Sequence, residues 1–357
     1  MDFLRNAWYA AAWGDEIVPG SLFRRTLLNT DVLFYRLRGG GVVAMDNRCP
    51  HRFAPLHRGK LIGDQVQCGY HGLEFAPTGV CAHNPHGDGR LPARATVRTY
   101  PVRERLGVTW IWMGDPALAE VAAVPDLSGL DPAGFSVNKG YIFVDANYEL
   151  VSDNLLDSSH IAYLHPDLGS ESVTQGNTTI ERVGDAVRVD RFMPGERLPR
   201  FLDMVYGMNG QLVDRWLEVS WQPPAVIEVR ISVAPAGSVR ADALQRPTYH
   251  LVTPETDWTS HYFWSSSRDF RHDDVALHGM LQSGIARVFE TEDKPMIEAQ
   301  QETVGRFDMG TLNPIPLVGD GGVFQARSIL RKSIAREAAA RAGGGDNRSA
   351  VAVGRSG

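Results

Sequence analysis

Two short segments hold the residues whose types and spacing promise chemistry: Cys49-Pro50-His51 and Cys68-Gly69-Tyr70-His71. Each offers one thiolate and one imidazole. Two thiolates on one iron and two imidazoles on the other form the mixed ligand set of a [2Fe–2S] cluster in which histidines replace two cysteines. Neutral imidazoles lower the negative charge on the cluster and ease its reduction. The potential moves from about −400 mV in all-cysteine plant-type clusters to roughly −150 to +300 mV. A cluster of this kind passes single electrons onward, so an oxygen-activating metal is expected elsewhere in the chain.

A structural zinc site uses the same residue types. Its ligands usually come as Cys-x2–4-Cys and His-x3–5-His pairs. Here each arm is mixed, Cys-x-His and then Cys-x2-His, which suits two loop tips that each give one ligand to each iron. Pro50, Gly69 and Gly72 are turn formers. The pattern points to a Rieske [2Fe–2S] centre held by Cys49, His51, Cys68 and His71.

The second metal is sought in residues 154–165, which read as helix and contain Asn154, Asp157, His160 and His165. A non-haem iron that binds O2 needs two histidines and one carboxylate on one face, with the opposite positions open. His160 and His165 supply the imidazoles. Five residues on a regular helix set them about 140° apart, too wide for one face. The helix is therefore expected to end or bulge near His165, where Pro166 follows. Asn154, Asp157 and His160 recur every three residues as a neighbouring stripe. The carboxylate must come from another segment, and Glu290, Glu292 and Asp293 are the acids on offer, which spacing does not separate.

The elements that must position these groups fall into two halves. The first 115 residues read as short strands divided by turns, with the cluster arms in the loops. Residues 32–37 and 42–45 flank Gly39-Gly40-Gly41 as a hairpin, and residues 108–112 close the region as a strand. Residues 116–137, punctuated by Pro and Gly, read as a linker. In residues 138–342, positions 225–234 alternate apolar and polar side chains, as a strand with one buried and one polar face does. Residues 249–252 and 261–265 read as further antiparallel strands. A long helix is expected from about 274 past 301, kinked or broken by Pro295. Residues 335–342 read as the end of a terminal helix, and the Gly- and Ser-rich residues 343–357 as a disordered tail.

The chain has 357 residues, enough for two domains, with 43% hydrophobic and 22% charged residues, ordinary values for a soluble globular protein. A net charge of −6 and the absence of a basic run interleaved with aromatics argue against nucleic acid as a partner. No stretch of about 18 apolar residues exists, so no membrane span or signal peptide is expected. Of the three cysteines only Cys81 lies outside the cluster motifs, which excludes a disulfide framework and favours a reducing cytoplasm.

With both motifs in hand the chain resembles the Rieske non-haem iron oxygenases, most of all the vanillate O-demethylase oxygenase and dicamba monooxygenase branch. The residues that carry this are 49–56, 68–75 and 83–87, the opening Asn6-Ala7-Trp8-Tyr9, Asp153-Asn154-Leu155-Leu156-Asp157 with its two histidines, and Thr253-Pro254-Glu255-Thr256. The resemblance implies an α+β architecture: an N-terminal all-β Rieske domain, then a helix-grip catalytic domain, an antiparallel sheet around a long helix. It selects Asp293 as third iron ligand and places the Asn154 amide close to the iron. It implies a homotrimer in which Asp157 bridges a cluster imidazole, His71, of one subunit and an iron imidazole, His160, of the next. It also implies a separate flavin and [2Fe–2S] reductase that draws electrons from NAD(P)H, since no dinucleotide-binding Gly-x-Gly-x-x-Gly fold is encoded here.

The expected reaction uses O2 to hydroxylate a methyl ether carbon, with vanillate or a related methoxybenzoate as substrate and formaldehyde as product. Other aryl substrates stand as alternatives: a chlorinated methoxybenzoate, an aryl sulfonate methyl group or an N-methyl heterocycle. A Rieske electron carrier is the alternative from another class, against which His160, His165 and Asp293 argue. A small aromatic acid needs an apolar slot and a donor for its carboxylate. His250 lies at the position where dicamba monooxygenase-like enzymes hold that carboxylate, and Arg230 is a second possibility. Trp216, Trp221 and Trp264 are expected as apolar walls.

Overall fold

The architecture is that of a computed structural model, which describes residues 2–307 and 309–345, the last three as backbone only. The N-terminal half is built from three small antiparallel sheets. Its first strand, Trp8–Trp13, pairs with its last, Val108–Trp112, so the chain closes the unit on itself. The expected hairpin is present as Thr30–Arg36 against Val42–Asp46. The two cysteine loops follow Val42–Asp46 and Gln65–Gln67, and Cys49, Cys68 and Cys81 are buried in one small core with Leu56, Val66 and Phe75.

Residues 116–137 hold a short helix, Pro116–Val121, whose first turn is capped by the Asp115 carboxylate. Ala119, Val124, Leu127 and Leu130 then pack with Trp8, Trp110 and Tyr249. This stretch is therefore part of a core that joins the two halves.

The C-terminal half is a seven-stranded antiparallel sheet. In chain order its strands are β1 (Ser136–Val144), β2 (Asn177–Val183), β3 (Ala186–Arg197), β4 (Leu212–Gln222), β5 (Val226–Pro235), β6 (Leu244–Pro254) and β7 (Ser260–Arg268). Their order across the sheet is β1-β7-β6-β5-β4-β3-β2. One face is covered by α1 (Tyr148–Leu156), α2 (Val275–Val288), α3 (Lys294–Val304) and α4 (Gly321–Gly345), with Ile227, Trp221, Trp264, Ile297 and Ile329 in the common core. Among the described residues no helix is long and apolar enough to cross a membrane.

Three expectations are corrected. Residues 154–165 are not one helix: α1 ends at Leu156, Asp157 is extended, and a 3-10 turn, Ser158–His160, leads into a single helical turn, Ile161–Leu164. The long helix is interrupted before Pro295 by a π-helical segment, Phe289–Asp293, and Pro295 sits in the first turn of α3, where a missing N–H is harmless. The alternating strand β5 has the two faces expected of it: Ile227, Val229 and Ile231 turn to the core and cavity, while the half-exposed Glu228 and Arg230 pair with each other on the other side. The terminal helix α4 continues through Gly345, three residues into the expected tail, and residues 346–357 lie outside the described residues.

The halves meet at a buried imidazole. His261 on β7 donates from Nε2 to the Thr26 carbonyl of the N-terminal half at 2.8 Å, and its Nδ1 accepts from the Tyr141 hydroxyl at 2.8 Å. Arg25 lies over the rings of Phe23, Tyr141 and Phe263 beside it. Burial first, then the Arg25 charge, push His261 down to about 4 from the ordinary 6.5. The unfolded chain then takes up a proton between these values that the folded chain refuses. Stability is fully present above about 6.5 and is lost as pH falls toward 4, by up to about 3 kcal/mol. Urea midpoints of the wild type should fall between pH 7.5 and 5, and His261→Gln should flatten part of that slope. An unchanged slope would remove His261 as its source.

Candidate metal centres and substrate cavity

The two cysteine loops share one backbone frame. In the first, Cys49 N–H donates to Ala54 carbonyl and Phe53 N–H to Cys49 carbonyl, both at 2.9 Å. In the second, Cys68 N–H donates to Leu73 carbonyl at 2.8 Å and Gly72 N–H to Cys68 carbonyl at 3.0 Å. Phe53 and Gly72, at matching positions, both have positive φ. The loops are pressed together so closely that a Cβ on Gly69 would lie 2.6 Å from the Arg58 carbonyl oxygen. That approach explains the glycine.

This packing brings the four residues of the motif together. The His51 and His71 rings lie 4.5 Å apart, centre to centre, with His51 exposed and His71 half-buried. The Cys49 and Cys68 thiols are both buried. Burial pushes the Cys49 thiol up to about 11, and the neighbouring Cys68 adds to the rise. Two adjacent buried thiols with no disulfide between them and two imidazoles at the rim suit a bound cluster, which requires deprotonated sulfur.

The second group forms where the two backbone irregularities face each other. The break at Asp157 turns His160 back toward His165, so their rings meet at 5.1 Å. The π segment swings Asp293 inward: it is buried, whereas Glu290 stays at the surface beside Lys294. An Asp293 oxygen lies 3.2 Å from His165 Nε2 and 3.6 Å from His160 Nε2. One donor atom from each of the three residues fits within 4.8 Å of the others. Two imidazoles and a carboxylate on one side of a cavity are the donor set of a facial non-haem iron site.

Both imidazoles are held from behind. His160 Nδ1 donates to the Asp157 backbone carbonyl, while the Asp157 carboxylate caps the following turn through Ser159 N–H at 2.9 Å. His165 Nδ1 is bonded to Glu292 at 2.8 Å, and Glu292 is fixed by Arg287 at 3.0 Å. Burial lowers His160. At His165 burial acts the same way, but the bonds to Asp293 and Glu292 outweigh it and its pKa is raised. Asn154 Nδ2 donates to Asp293 at 3.3 Å. The sequence offers Glu292 as one of three acids for the iron; the π segment instead brings it to His165 as a hydrogen-bond partner.

These groups open onto a cavity of about 160 Å³, close to the size of an engineered cavity that holds one benzene ring. Its floor is the sheet. Because side chains alternate, one face of β4, β5 and β6 presents rows across the strands. His250 lies across from Ile227, Thr248 from Val229 and Val219, and Arg246 from Ile231 and Leu217. Leu155, Phe201, Val288 and Phe289 form the roof and walls. His250 is buried beside Phe289, with Nδ1 bonded to the Tyr262 hydroxyl at 2.6 Å and Nε2 to Thr248 Oγ1 at 3.0 Å. Burial lowers it to about 4, so it stays neutral.

The other expected lining groups are elsewhere. Arg230 points to the opposite face of β5 and is paired with Glu228 at 2.6 Å. Trp216 stacks on Phe192 on that same far side of the sheet. Trp221 and Trp264 share the His250 row but are buried in the core, Trp264 beneath Phe289. The arginines that do line the cavity, Arg215, Arg246 and Arg287, were missed. A signal existed: Arg246, Thr248 and His250 alternate along one strand, so placing His250 at the site places Arg246 on its face.

Residues 7–101 match the model of the Rieske [2Fe-2S] domain, and residues 144–336 match that of the Vanillate O-demethylase oxygenase C-terminal domain. The chain is 40% identical over 343 residues to the oxygenase component of chloroacetanilide N-alkylformylase from Rhizorhabdus wittichii, covering 94% of this chain and 97% of that protein. It is 39% identical over 345 residues to the toluene-4-sulfonate monooxygenase system iron-sulfur subunit TsaM1 of Comamonas testosteroni, with coverage of 94% and 98%. The crystal structure of dicamba monooxygenase bound to 3,6-dichlorosalicylic acid superposes with a TM-score of 0.89 at 35% identity, covering 95% of this chain and 100% of that one.

The bond from Glu292 to His165 fixes the ring that faces Asp293, so its loss should be felt in metal affinity. Glu292→Gln should weaken iron retention about 10- to 100-fold against a competing chelator while leaving cluster absorption intact. Equal iron affinity in the variant would show that the bond does not orient the ring.

Proposed function

This chain belongs to the Rieske non-haem iron oxygenases of the vanillate O-demethylase type, and from that premise we propose that it O-demethylates vanillate or a closely related methoxybenzoate. As an oxygenase component it receives its electrons from a separate reductase. The observation that carries the reading is a ring-sized apolar cavity with His160, His165 and Asp293 in its wall.

We assign Cys49, His51, Cys68 and His71 to the cluster and His160, His165 and Asp293 to the iron. When bound, these groups supply single-electron delivery and activation of O2. The protein's own residues do the rest. Asn154 donates to Asp293 and holds that carboxylate in place. Leu217, Val219 and Val229 exclude water and confine a ring over the sheet. The overall change takes one methyl ether, O2, two electrons and two protons to a phenol, formaldehyde and water. Oxygen enters at the O–CH3 carbon, and the hemiacetal so formed collapses without help from the protein. NAD(P)H supplies the electrons through the reductase. Cluster-bound Cys49 and Cys68 and a reduced, buried Cys81 suit a cytoplasmic setting.

The assembly we propose is a homotrimer in which the cluster of one subunit faces the iron of the next. Exposed His51, Tyr70 and Phe53 at the cluster loops and exposed Tyr163 beside the iron histidines support it. Asp157 would then link His71 of one subunit to His160 of its neighbour. A second reading, oxidation of an aryl sulfonate methyl group, is favoured by the 39% identity to the toluene-4-sulfonate subunit.

Formaldehyde release with NADH and a vanillate-type reductase, across vanillate, veratrate, dicamba and toluene-4-sulfonate, tests the reading. Stoichiometric formaldehyde and protocatechuate from vanillate are expected; NADH oxidation without formaldehyde from any of the ethers would overturn demethylation. Asp157→Asn should keep three irons per chain yet slow cluster oxidation in a single turnover by about 10- to 100-fold. A normal rate would refute the bridge.

A further inference from the structure

The cavity has one polar feature that neither the iron site nor the apolar floor accounts for. Three arginines reach it, and two of them are neutralised. Arg215 is ion-paired with Glu196 at 2.5 Å, and Arg287 with Glu292 at 3.0 Å. Arg246 is 4% exposed, and its hydrogen bonds go to neutral groups, Ser266 Oγ at 3.0 Å and the Tyr206 side chain. Its Nε has no partner, and no carboxylate forms an ion pair with it among the described residues. A guanidinium cannot shed its proton, so a buried one without an anion is costly unless something else supplies the charge.

The position of Arg246 says what that something is. It shares a strand face with Thr248 and His250, and His250 stands at the end under Phe289, next to the Asp293 segment. Four residues along an antiparallel strand place Arg246 about 13 Å farther along the floor. Between them lie Val229, Ile231, Leu217 and Val219, an apolar bed as long as one aromatic ring with a substituent at each end. His250 itself is a poor anion site, because it is neutral and both its nitrogens are taken by hydroxyl groups.

We propose that Arg246 is the anion-recognising residue of the cavity, holding the carboxylate or sulfonate of a single-ring aromatic acid so that the substituent at the far end of the ring faces the iron. This rests on the reading of the cavity as the substrate pocket and deepens it. It names the substrate class, a ring acid rather than a neutral ring. A planar guanidinium offers two parallel N–H donors that match either head group and fix its orientation as well as its charge.

The test is binding without turnover, to the reduced holoenzyme under anaerobic conditions, followed by calorimetry. The probes are 4-methoxybenzoate and toluene-4-sulfonate, set against neutral methyl 4-methoxybenzoate and toluene-4-sulfonamide. The wild type should bind at least one acid about 10- to 100-fold more tightly than its neutral counterpart, and the tighter acid identifies the head group. Arg246→Gln should erase that preference while leaving the neutral probes within about two-fold; Arg246→Lys should restore part of it. Cluster absorption reports whether each variant is folded, and the wild-type comparison stands if Arg246→Gln is not. Neutral probes binding as tightly as the acids, no saturable binding of either acid, or an undiminished preference in folded Arg246→Gln would each overturn the proposal. Because no product is measured, failure of the demethylation assay leaves this result intact, and the reverse also holds.

Discussion

The placement of one carboxylate governs this structure. Asp293 lies in the interior, where an ionised group without partners is strongly disfavoured. It is met by two imidazole nitrogens, at 3.2 and 3.6 Å, and by the Asn154 amide at 3.3 Å. Those partners come from a segment more than a hundred residues earlier. The two segments can meet only because each departs from a regular helix. The extended residue at Asp157 folds the His160 turn back, and the π segment at Phe289–Asp293 rotates one extra residue into the interior. A regular helix through either stretch would separate the donors. π-helical insertions are tolerated mainly where function gains from them, and here the gain is a third donor.

The features legible in the sequence are those whose chemistry is local. The cluster arms each put both donors into one short loop, so residue type and spacing sufficed to read them. The two histidines of the candidate iron site stand close together in the sequence for the same reason, and their awkward five-residue interval announced a broken helix. Where it broke was not legible, because Asp157 is stabilised outside the helix by its own capping bond to Ser159, a contact that any Asp in a helix could forgo. Pro295 misled: its ring stands in a first turn, and the departure from α geometry lies just before it.

The cavity was least legible, and the reason is the sheet. Alternation tells which residues share a face but not which face is inward. Along β5, Val229 and Arg230 are neighbours that point to opposite faces, and alternation alone does not say which of them meets the cavity. Pairing across strands resolves it, since Val229 lies between Val219 and Thr248 while Arg230 lies between Glu218 and Pro247. The tryptophans failed as wall residues for a related reason. Two of them lie on the right face but in the row occupied by core, where Phe289 covers Trp264 and removes it from the cavity.

The same floor explains how selectivity can arise from a mostly apolar pocket. A hydrophobic slot discriminates weakly between rings of similar size, because one extra or missing methylene is worth only about 1–3 kcal/mol. A site built around a buried polar donor discriminates far more, since a ligand lacking the matching group leaves that donor unpaired. In this cavity the neutral His250 and the apolar rows are satisfied within the protein, whereas the charge of Arg246 meets no carboxylate among the described residues. On the proposed reading this unpaired charge, rather than the shape of the slot, sets the direction in which a ring lies. With one end of the ring so fixed, its other end is carried toward His160, His165 and Asp293, and the position of the reacting carbon follows from the length of the molecule between them.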